Sequence, residues 1–375
     1  MPASSAFDDC VQRLLQAFKT YDRTVDVVCC WEFLFTRASP FNSSGLFFDR
    51  FPRMTCASAG ETAKTPDFAV LFSEAYGIVG EIKEGFPRDE KSFISHFERL
   101  KKYDQPLEFR AGPGRGLIPA VHDIVLIVPL RDAQEIVTRL EARLADKALS
   151  FERQPVVFEW TYDSDASEYI FRRVALQMGD FRDVAVPEAI RLSKCFSERG
   201  ASLKITPDKI KDLKANWQFC NDTPPVIYTL VFLWTKILYQ LLNDRQREEW
   251  RRRDPRKAIW IEFHLDRLRE VIEQLYPFKW GHWTEWNRLA LDALAQGRLA
   301  RKIGQDRYAV GYRNLTRELG EPRQAGRAGI SDYARTLATH VCSQRGEAAS
   351  EPADTGEPRQ RRLPFDQDEG HAGPR

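Results

Sequence analysis

The sequence lacks the features that mark several common classes of protein. Its 56 lysines and arginines are nearly balanced by 54 aspartates and glutamates, and the net charge of +2 excludes a histone-like protein whose whole surface is basic. Residues 1–9 contain no basic segment followed by an apolar one, so we expect no secretory signal. No GxxxxGK(S/T) loop occurs, and we therefore expect no ATP hydrolysis by this chain.

Cysteine and histidine are too dispersed to indicate a metal site. The seven cysteines include no CxxC pair, and His96, His122, His264 and His282 show no spacing typical of metal ligands. An odd number of scattered cysteines is typical of reduced, mostly buried thiols. We therefore expect a cytoplasmic protein with neither a structural zinc site nor disulfides.

The longest apolar run, residues 226–242, is too short and too polar for a membrane span. Lys236 interrupts it, and Pro224 and Pro225 precede it. A membrane-spanning helix needs about 20 predominantly apolar residues. The run therefore predicts a buried helix in a helical domain, and we expect no membrane association.

Apolar residues are abundant enough to form a substantial core, since they make up 43% of the sequence and include 24 phenylalanines. A chain of 375 residues typically forms two or three domains. We predict a mixed α/β domain in residues 1–180 and a mainly helical domain in residues 187–318. Glycine, proline and charged residues accumulate after that, so residues 321–375 are expected to form a partly disordered tail.

The first 180 residues alternate between helical and strand patterns. Helical patterns occupy four segments: residues 7–20, 25–35, 89–104 and 131–147. Short apolar segments predict strands at residues 67–72, 78–83, 122–129, 155–162 and 169–176. Residues 40–60 and the glycine-rich residues 112–116 are expected to be loops. This order is typical of an α/β or α+β domain with a mixed sheet.

The hairpin predicted at residues 67–83 contains three charged residues. Asp67 begins its first strand, and Glu81 and Lys83 end the second. Residues i and i+2 of a strand share a face, so Glu81 and Lys83 lie on the same side, with Asp67 roughly opposite Glu81. Because burying unpaired charges is costly, the cluster favours a functional site over an ordinary surface hairpin.

Such a cluster suits divalent-metal chemistry. Mg²⁺ takes oxygen ligands, which Asp67, Glu81 and the main-chain carbonyl of Ile82 can supply. A bound metal polarises a phosphodiester and lowers the pKa of a water molecule. Lys83 can hold that water or neutralise charge that develops on the phosphate.

The residues Pro66, Asp67, Glu81 and Lys83, with 13 residues between the two acids, resemble the motif of the PD-(D/E)xK nuclease superfamily. The resemblance covers roughly residues 7–165. It implies a restriction-endonuclease-like αβββαβ core, dependence on Mg²⁺ or Mn²⁺, and cleavage of DNA.

Members of this superfamily often place a further acid on the first core helix. Glu32, a lone acid in an apolar stretch, is our candidate, and Asp49 and Glu61 are alternatives. RecB-like members also carry a QxxxY pattern on the helix after the ExK strand. Here the corresponding segment begins with Arg99 and ends with Tyr103, a departure that weakens a RecB-like assignment.

The region around residues 265–312 has the pattern of a winged helix. Helices are predicted at residues 265–276 and 286–296, and strands at residues 298–303 and 307–312. Such a module can contact DNA or a partner protein, and a helical packing domain with a charged rim is the alternative. Candidate nucleic-acid contacts throughout the chain are the basic residues Lys101, Lys102, Arg251, Arg252, Arg253, Arg298, Arg301, Lys302 and Arg307.

The sequence thus predicts a cytoplasmic, Mg²⁺-dependent DNA endonuclease with Asp67, Glu81, Lys83 and Glu32 at its active site. Restriction, repair and defence against phages or mobile elements all fit this activity. A homodimer or a partner protein is compatible with it, and RNA remains an alternative substrate. The contrasting hypothesis is a non-catalytic DNA-binding or assembly subunit built on a nuclease-like scaffold.

Overall fold

The computed structural model describes residues 3–56, 64–112, 114–153, 155–174, 180–196, 202–216, 219, 223–252, 257–276, 283–313, 315 and 330–348. It has a mixed α/β architecture, as predicted, built around a seven-stranded sheet. The strands of this sheet are β1 (Phe47–Arg50), β2 (Phe68–Leu71), β3 (Tyr76–Ile82), β6 (Val121–Pro129), β7 (Pro155–Asp163), β8 (Glu168–Arg173) and β9 (Ser202–Ile205). A separate hairpin is formed by β4 (Phe109–Gly112) and β5 (Arg115–Leu117).

The large sheet contains antiparallel and parallel pairs. Its order is β1-β2-β3-β6-β7-β8-β9, and β3 pairs with β6, and β6 with β7, in parallel. The predicted β2–β3 hairpin is confirmed. Two of the predicted loops are wrong in part. β1 lies within residues 40–60, and the glycine-rich residues 112–116 contribute to the β4–β5 hairpin. Gly112 and Gly114 adopt positive φ angles there, which glycine does without strain.

One long helix, α1 (Ala3–Thr36), replaces the two helices predicted at its ends. Residues 21–24 between them contain no glycine or proline, so nothing interrupts the helix. Trp31 packs with its ring 5.5 Å from that of Phe68 and 5.0 Å from that of Phe158, which places α1 across one face of the sheet. Asp26 also bonds to Tyr169 of β8 at 2.5 Å, and burial raises the pKa of its carboxyl.

The opposite face of the sheet is covered by α2 (Glu90–Leu100) and α3 (Leu130–Ala145). Phe93 and Phe97 of α2 belong to the same apolar cluster as Val79 of β3, whereas Ile78 belongs to the cluster on the α1 side. This alternation is what a strand buried on both faces requires. Every residue of β3, including Glu81, is consequently buried.

The second half of the chain is mainly helical. Its helices are α4 (Leu192–Cys195), α5 (Pro207–Asn216), α6 (Val226–Phe232), α7 (Asp244–Arg252), α8 (Leu265–Leu275), α9 (Trp283–Gln296) and α10 (Ile330–Ala348). Irregular helical turns extend α6 to Leu241, so the buried helix predicted there is confirmed. Buried residues of α6, α9 and α10 join the apolar cluster that contains α1.

Three further strands, β10 (Ile259–His264), β11 (Ala300–Gly304) and β12 (Arg307–Tyr312), form a separate sheet in the order β10-β12-β11. The predicted helix and hairpin at residues 286–312 are confirmed. The region predicted to be mainly helical from residue 187 also contains β9 and β10, two strands that the sequence did not predict. In β10 buried and exposed residues alternate, which is the two-residue period of a strand with one exposed face.

Within the described residues, no single helix is long and apolar enough to cross a membrane. One pair of helical segments is long and apolar enough when the two are taken together, namely residues 226–241 and α7. The chain bends by 114° between them.

A disulfide joins Cys10 of α1 to Cys342 of α10. The prediction that all cysteines are reduced is therefore wrong for this pair. α10 packs alongside α1 and brings together two residues separated by 332 positions, a contact that no cysteine spacing reveals. Cys29 and Cys30 are free and buried, as predicted. α10 also occupies part of the predicted tail, and residues 349–375 lie outside the described residues.

Reduction of the Cys10–Cys342 bond is expected to lower the free energy of unfolding by about 2–4 kcal/mol, because the cross-link restricts the unfolded chain. Urea denaturation of the oxidised protein, with and without dithiothreitol, measures the difference. Cys10→Ser should be as unstable as the reduced protein and insensitive to the reductant. Equal stability of oxidised and reduced wild type would contradict the expectation.

Candidate active site

The register of β2 against β3 depends on one glycine. Phe68 lies opposite Gly80, and its ring covers that residue so closely that a Cβ added there would lie 2.1 Å from the ring. Only glycine allows the two strands to pair with this ring in place. The residues next to this pair, Asp67 and Glu81, are thereby held at the same end of the hairpin.

Asp67 forms hydrogen bonds with the main chain of Gly80 and Ile82, the two neighbours of Glu81 in the sequence. Its N–H donates to the carbonyl of Gly80 at 3.1 Å, and its Oδ2 accepts the N–H of Ile82 at 2.6 Å. The side chain is buried. The expected juxtaposition of the two acids therefore arises from main-chain hydrogen bonds.

The Glu81 carboxylate is held by two neighbours. The Lys83 ammonium lies 2.8 Å from Oε1, so the two side chains share a face as the strand period requires. The hydroxyl of Tyr103, a fully buried residue just beyond α2, donates to Oε2 at 2.9 Å. Only 7% of the Glu81 side chain is exposed, against 26% of that of Lys83. The nearby cation and hydroxyl offset the cost of burying this carboxylate.

A buried histidine supports Tyr103 in turn. Nε2 of His122, in β6, lies 2.8 Å from the carbonyl oxygen of Tyr103. Burial lowers the pKa of His122 to about 4, so the imidazole is neutral at pH 7 and can donate its Nε2 proton to this carbonyl. His122 thus holds the main chain of Tyr103 in place.

An open cleft of about 920 Å³ lies next to Glu81 and Lys83. α1 contributes Arg13, Gln16 and Thr20 to its walls. The α2 side contributes His96, Arg99 and Lys102. Sequence reasoning did not select Arg13, because its position next to the hairpin depends on how α1 crosses the sheet. Arg99 was noticed only as a departure from the QxxxY pattern.

Glu32 is not brought to Asp67 and Glu81. Its carboxylate forms an ion pair with Arg50 of β1. Arg50 lies opposite Phe68 and shares the sheet face covered by α1, whereas Glu81 meets Tyr103 on the other face.

Of the alternative acids, Asp49 lies 3.9 Å from Arg110, and Glu61 lies outside the described residues. The acid that shares the cleft with Glu81 is Glu84, which accepts a hydrogen bond from Thr24 at 2.7 Å.

Within the described part of the chain, no three or more Asp, Glu, His or Cys side chains are grouped so that they could hold a metal ion. Asp67 and Glu81 offer two carboxylates, and both are oxygen ligands of the kind that hard cations prefer. The donor set therefore fits Mg²⁺ only where water or substrate oxygens supply its other ligands.

The predicted nucleic-acid contacts are spread over several surfaces. Lys102 lines the cleft, with its ammonium 4.5 Å from the centre of the Tyr103 ring, whereas Lys101 pairs with Glu98 at 2.7 Å. Arg251 and Arg252 of α7 both pair with Glu248. Arg253 lies outside the described residues.

The basic residues of the β11–β12 hairpin are in varied environments. The Arg301 guanidinium lies 4.6 Å from the ring centre of Trp260, a partly exposed residue of β10. Lys302 lies 3.6 Å from Asp292. Arg298 adopts a positive φ of 57° after α9, and Arg307 is exposed. Trp260 was not selected from the sequence, although its place in the alternating pattern of β10 indicates an outward-facing side chain.

Comparisons of the chain with models of protein families, with curated proteins and with solved structures find no match.

His122 is expected to make the protein less stable as the pH falls from 6.5 towards 4. Its pKa is about 4 in the folded state against an ordinary 6.5, so in this window the unfolded state binds the extra proton. The loss should amount to about 2–3 kcal/mol relative to His122→Gln, which keeps a donor but does not titrate. Urea denaturation of both proteins between pH 7 and 4 measures it, and parallel pH profiles would disprove the assignment.

Proposed function

We propose that the chain is a Mg²⁺-dependent nuclease of the PD-(D/E)xK type that hydrolyses phosphodiester bonds in DNA. The observation that carries the proposal is the convergence of Asp67, Glu81 and Lys83 at the paired ends of β2 and β3, where Glu81 and Lys83 line an open cleft. Titratable side chains grouped in a cleft are candidates for catalytic roles.

The order of elements supports the same family. α1, β1, β2, β3, α2 and β6 occur in the αβββαβ order, with the β4–β5 hairpin inserted between α2 and β6. β1 to β3 pair antiparallel, and β6 is parallel to β3. A parallel strand after a helical crossover places the ends of β3 and β6 at the same edge of the sheet. This arrangement is the one expected of a restriction-endonuclease-like core.

In the proposed site, Asp67, Glu81 and the carbonyl of Ile82 would hold Mg²⁺ or Mn²⁺. When bound, the metal supplies Lewis-acid polarisation of the phosphodiester and an acidified water. Mg²⁺ commonly uses one or two carboxylates together with water and substrate phosphates, so two side-chain ligands suffice. Lys83 neutralises negative charge on the phosphate, and Tyr103 holds the Glu81 carboxylate in position. Glu32 has no part in this site.

The second half of the chain is proposed to bind nucleic acid or a partner protein. The order β10, α8, α9, β11, β12 and the sheet order β10-β12-β11 support a winged-helix-like module. The outward-facing Trp260 with Arg301 suits contact with bases and phosphates.

A homodimer, and a role in restriction, repair or defence, are proposals compatible with this function. The predicted cytoplasmic location relied in part on reduced cysteines. The Cys10–Cys342 disulfide is unusual for that compartment, so this support for the location is lost.

One observation favours the alternative of a non-catalytic DNA-binding subunit. Both oxygens of Glu81 already accept hydrogen bonds, from Lys83 and Tyr103. If no metal replaces the lysine at Oε1, the cluster serves only to neutralise a buried acid.

We expect cleavage of DNA with Mg²⁺ or Mn²⁺ and none with EDTA, measured on single-stranded and duplex oligonucleotides. Lys83→Ala should reduce the rate by about 100-fold or more, because a preorganised charge near the reacting phosphate is lost. Lys91→Ala, an exposed lysine on α2, is the matched control and should cleave like wild type. Metal-dependent cleavage that survives Lys83→Ala would disprove the assigned role.

Metal binding is tested separately from cleavage. Mn²⁺ should raise the melting temperature of wild type but not of Asp67→Asn, because a ligand that binds only the folded state stabilises it. Absence of both cleavage and metal-dependent stabilisation, together with retained DNA binding, would favour the non-catalytic alternative.

A further inference from the structure

The cleft beside Glu81 has a charge distribution suited to a polyanion. Its lining contains four cations, Arg13, Lys83, Arg99 and Lys102, against two carboxylates. Both carboxylates already have partners: Lys83 and Tyr103 for Glu81, and Thr24 for Glu84. The cleft therefore presents a net positive potential towards solvent.

The two arginines of the cleft are available to a ligand. Arg13 of α1 and Arg99 of α2 are exposed, and neither forms an ion pair with another residue in the described ranges. They belong to two different helices, and both line the cleft that Glu81 and Lys83 also line. Guanidinium groups are well suited to phosphate recognition, and two in one cleft can contact different phosphates of one strand.

The size of the cleft limits what reaches the buried carboxylates. Its volume of about 920 Å³ lies within the range of roughly 300–1,000 Å³ typical of clefts that enclose a ligand of drug size. A few nucleotides of one strand match that size, whereas a duplex does not. Because only 7% of the Glu81 side chain is exposed, a phosphate has to enter the cleft to approach it.

Two further polar side chains of the cleft have a hydrogen-bond partner within their own helix. Gln16 donates to Thr20 at 3.2 Å, and Nδ1 of His96 lies 3.0 Å from the carbonyl of Ser92. The charged groups of the cleft are mainly cations, which suit phosphates, and contacts to phosphates carry no sequence information.

We infer that the cleft between α1 and α2 binds single-stranded DNA without sequence preference, with Arg13 and Arg99 contacting its phosphates. This inference rests on the proposed nuclease function and specifies its substrate as a single strand or an opened duplex end. Single-stranded DNA is the substrate for which we argue. Binding of RNA of the same sequence is measured for comparison, because RNA has the same chain of phosphates.

Binding of fluorescein-labelled 20-mers to the full chain in EDTA, followed by anisotropy, tests the inference without cleavage. We expect single-stranded DNA to bind at least tenfold more tightly than a blunt duplex of the same sequence. Arg13→Ala/Arg99→Ala should weaken single-strand binding about tenfold and reduce the slope of log K against log salt by about 1.4, since each phosphate contact contributes about 0.7.

The matched control is Arg115→Ala/Arg131→Ala, which removes two exposed arginines outside the cleft and should bind like wild type. Both double variants should melt at the wild-type temperature, because the four side chains are exposed. Equal affinity for single strand and duplex, equal losses in the two double variants, or preferential binding of RNA would overturn the inference for single-stranded DNA.

Cleavage assays separate this inference from the proposed function. If single-stranded DNA binds through Arg13 and Arg99 but Mg²⁺-dependent cleavage is absent, the inference about the cleft is supported and the proposed nuclease function is contradicted. Cleavage confined to closed circular duplex DNA would support the nuclease function but contradict binding of a single strand or an opened duplex end in the cleft.

Discussion

The close packing of Phe68 on Gly80 is the constraint on which the rest of the candidate site depends. It holds β2 against β3 in a single register, and a side chain at residue 80 would displace the ring. A slip of one residue would turn Glu81 and Lys83 to the opposite face of the sheet, towards α1. The hydrogen bonds from Asp67 to Gly80 and Ile82 extend the same pairing by one residue, so the position of this acid depends on the main chain of β3.

The electrostatics of the site follow from where this pairing places Glu81. The carboxylate is buried, and it is held by the partly exposed Lys83 and by the buried Tyr103 just beyond α2. The neutral imidazole of His122 holds the main chain of Tyr103 without adding a charge. A buried acid whose cation is partly exposed can exchange that cation for a metal at lower cost than an acid enclosed on every side. This difference is the physical basis of the catalytic proposal.

α1 connects the site to the second half of the chain. Its N-terminal half provides one wall of the cleft, its C-terminal half packs on the sheet, and Cys10 links it to α10. The Asp26 carboxylate, bonded to Tyr169 and Lys214, adds polar anchors to β8 and α5. The position of Arg13 in the cleft thus depends on contacts far from the hairpin, which explains why it could not be selected from the local sequence.

The sequence by itself determined the local features: the β2–β3 hairpin, the shared face of Glu81 and Lys83, the proximity of Asp67, and the helix and hairpin at residues 286–312. These features follow from periodicity and from pairs close in the chain, both of which depend on short-range geometry. Only the tertiary structure decided that Glu32 pairs with Arg50, that Tyr103 and His122 support Glu81, that Cys10 meets Cys342, and that Arg13 and Arg99 face one cleft. Each of these contacts joins elements whose relative position is set by packing across the sheet, and residue spacing along the chain carries no information about that packing.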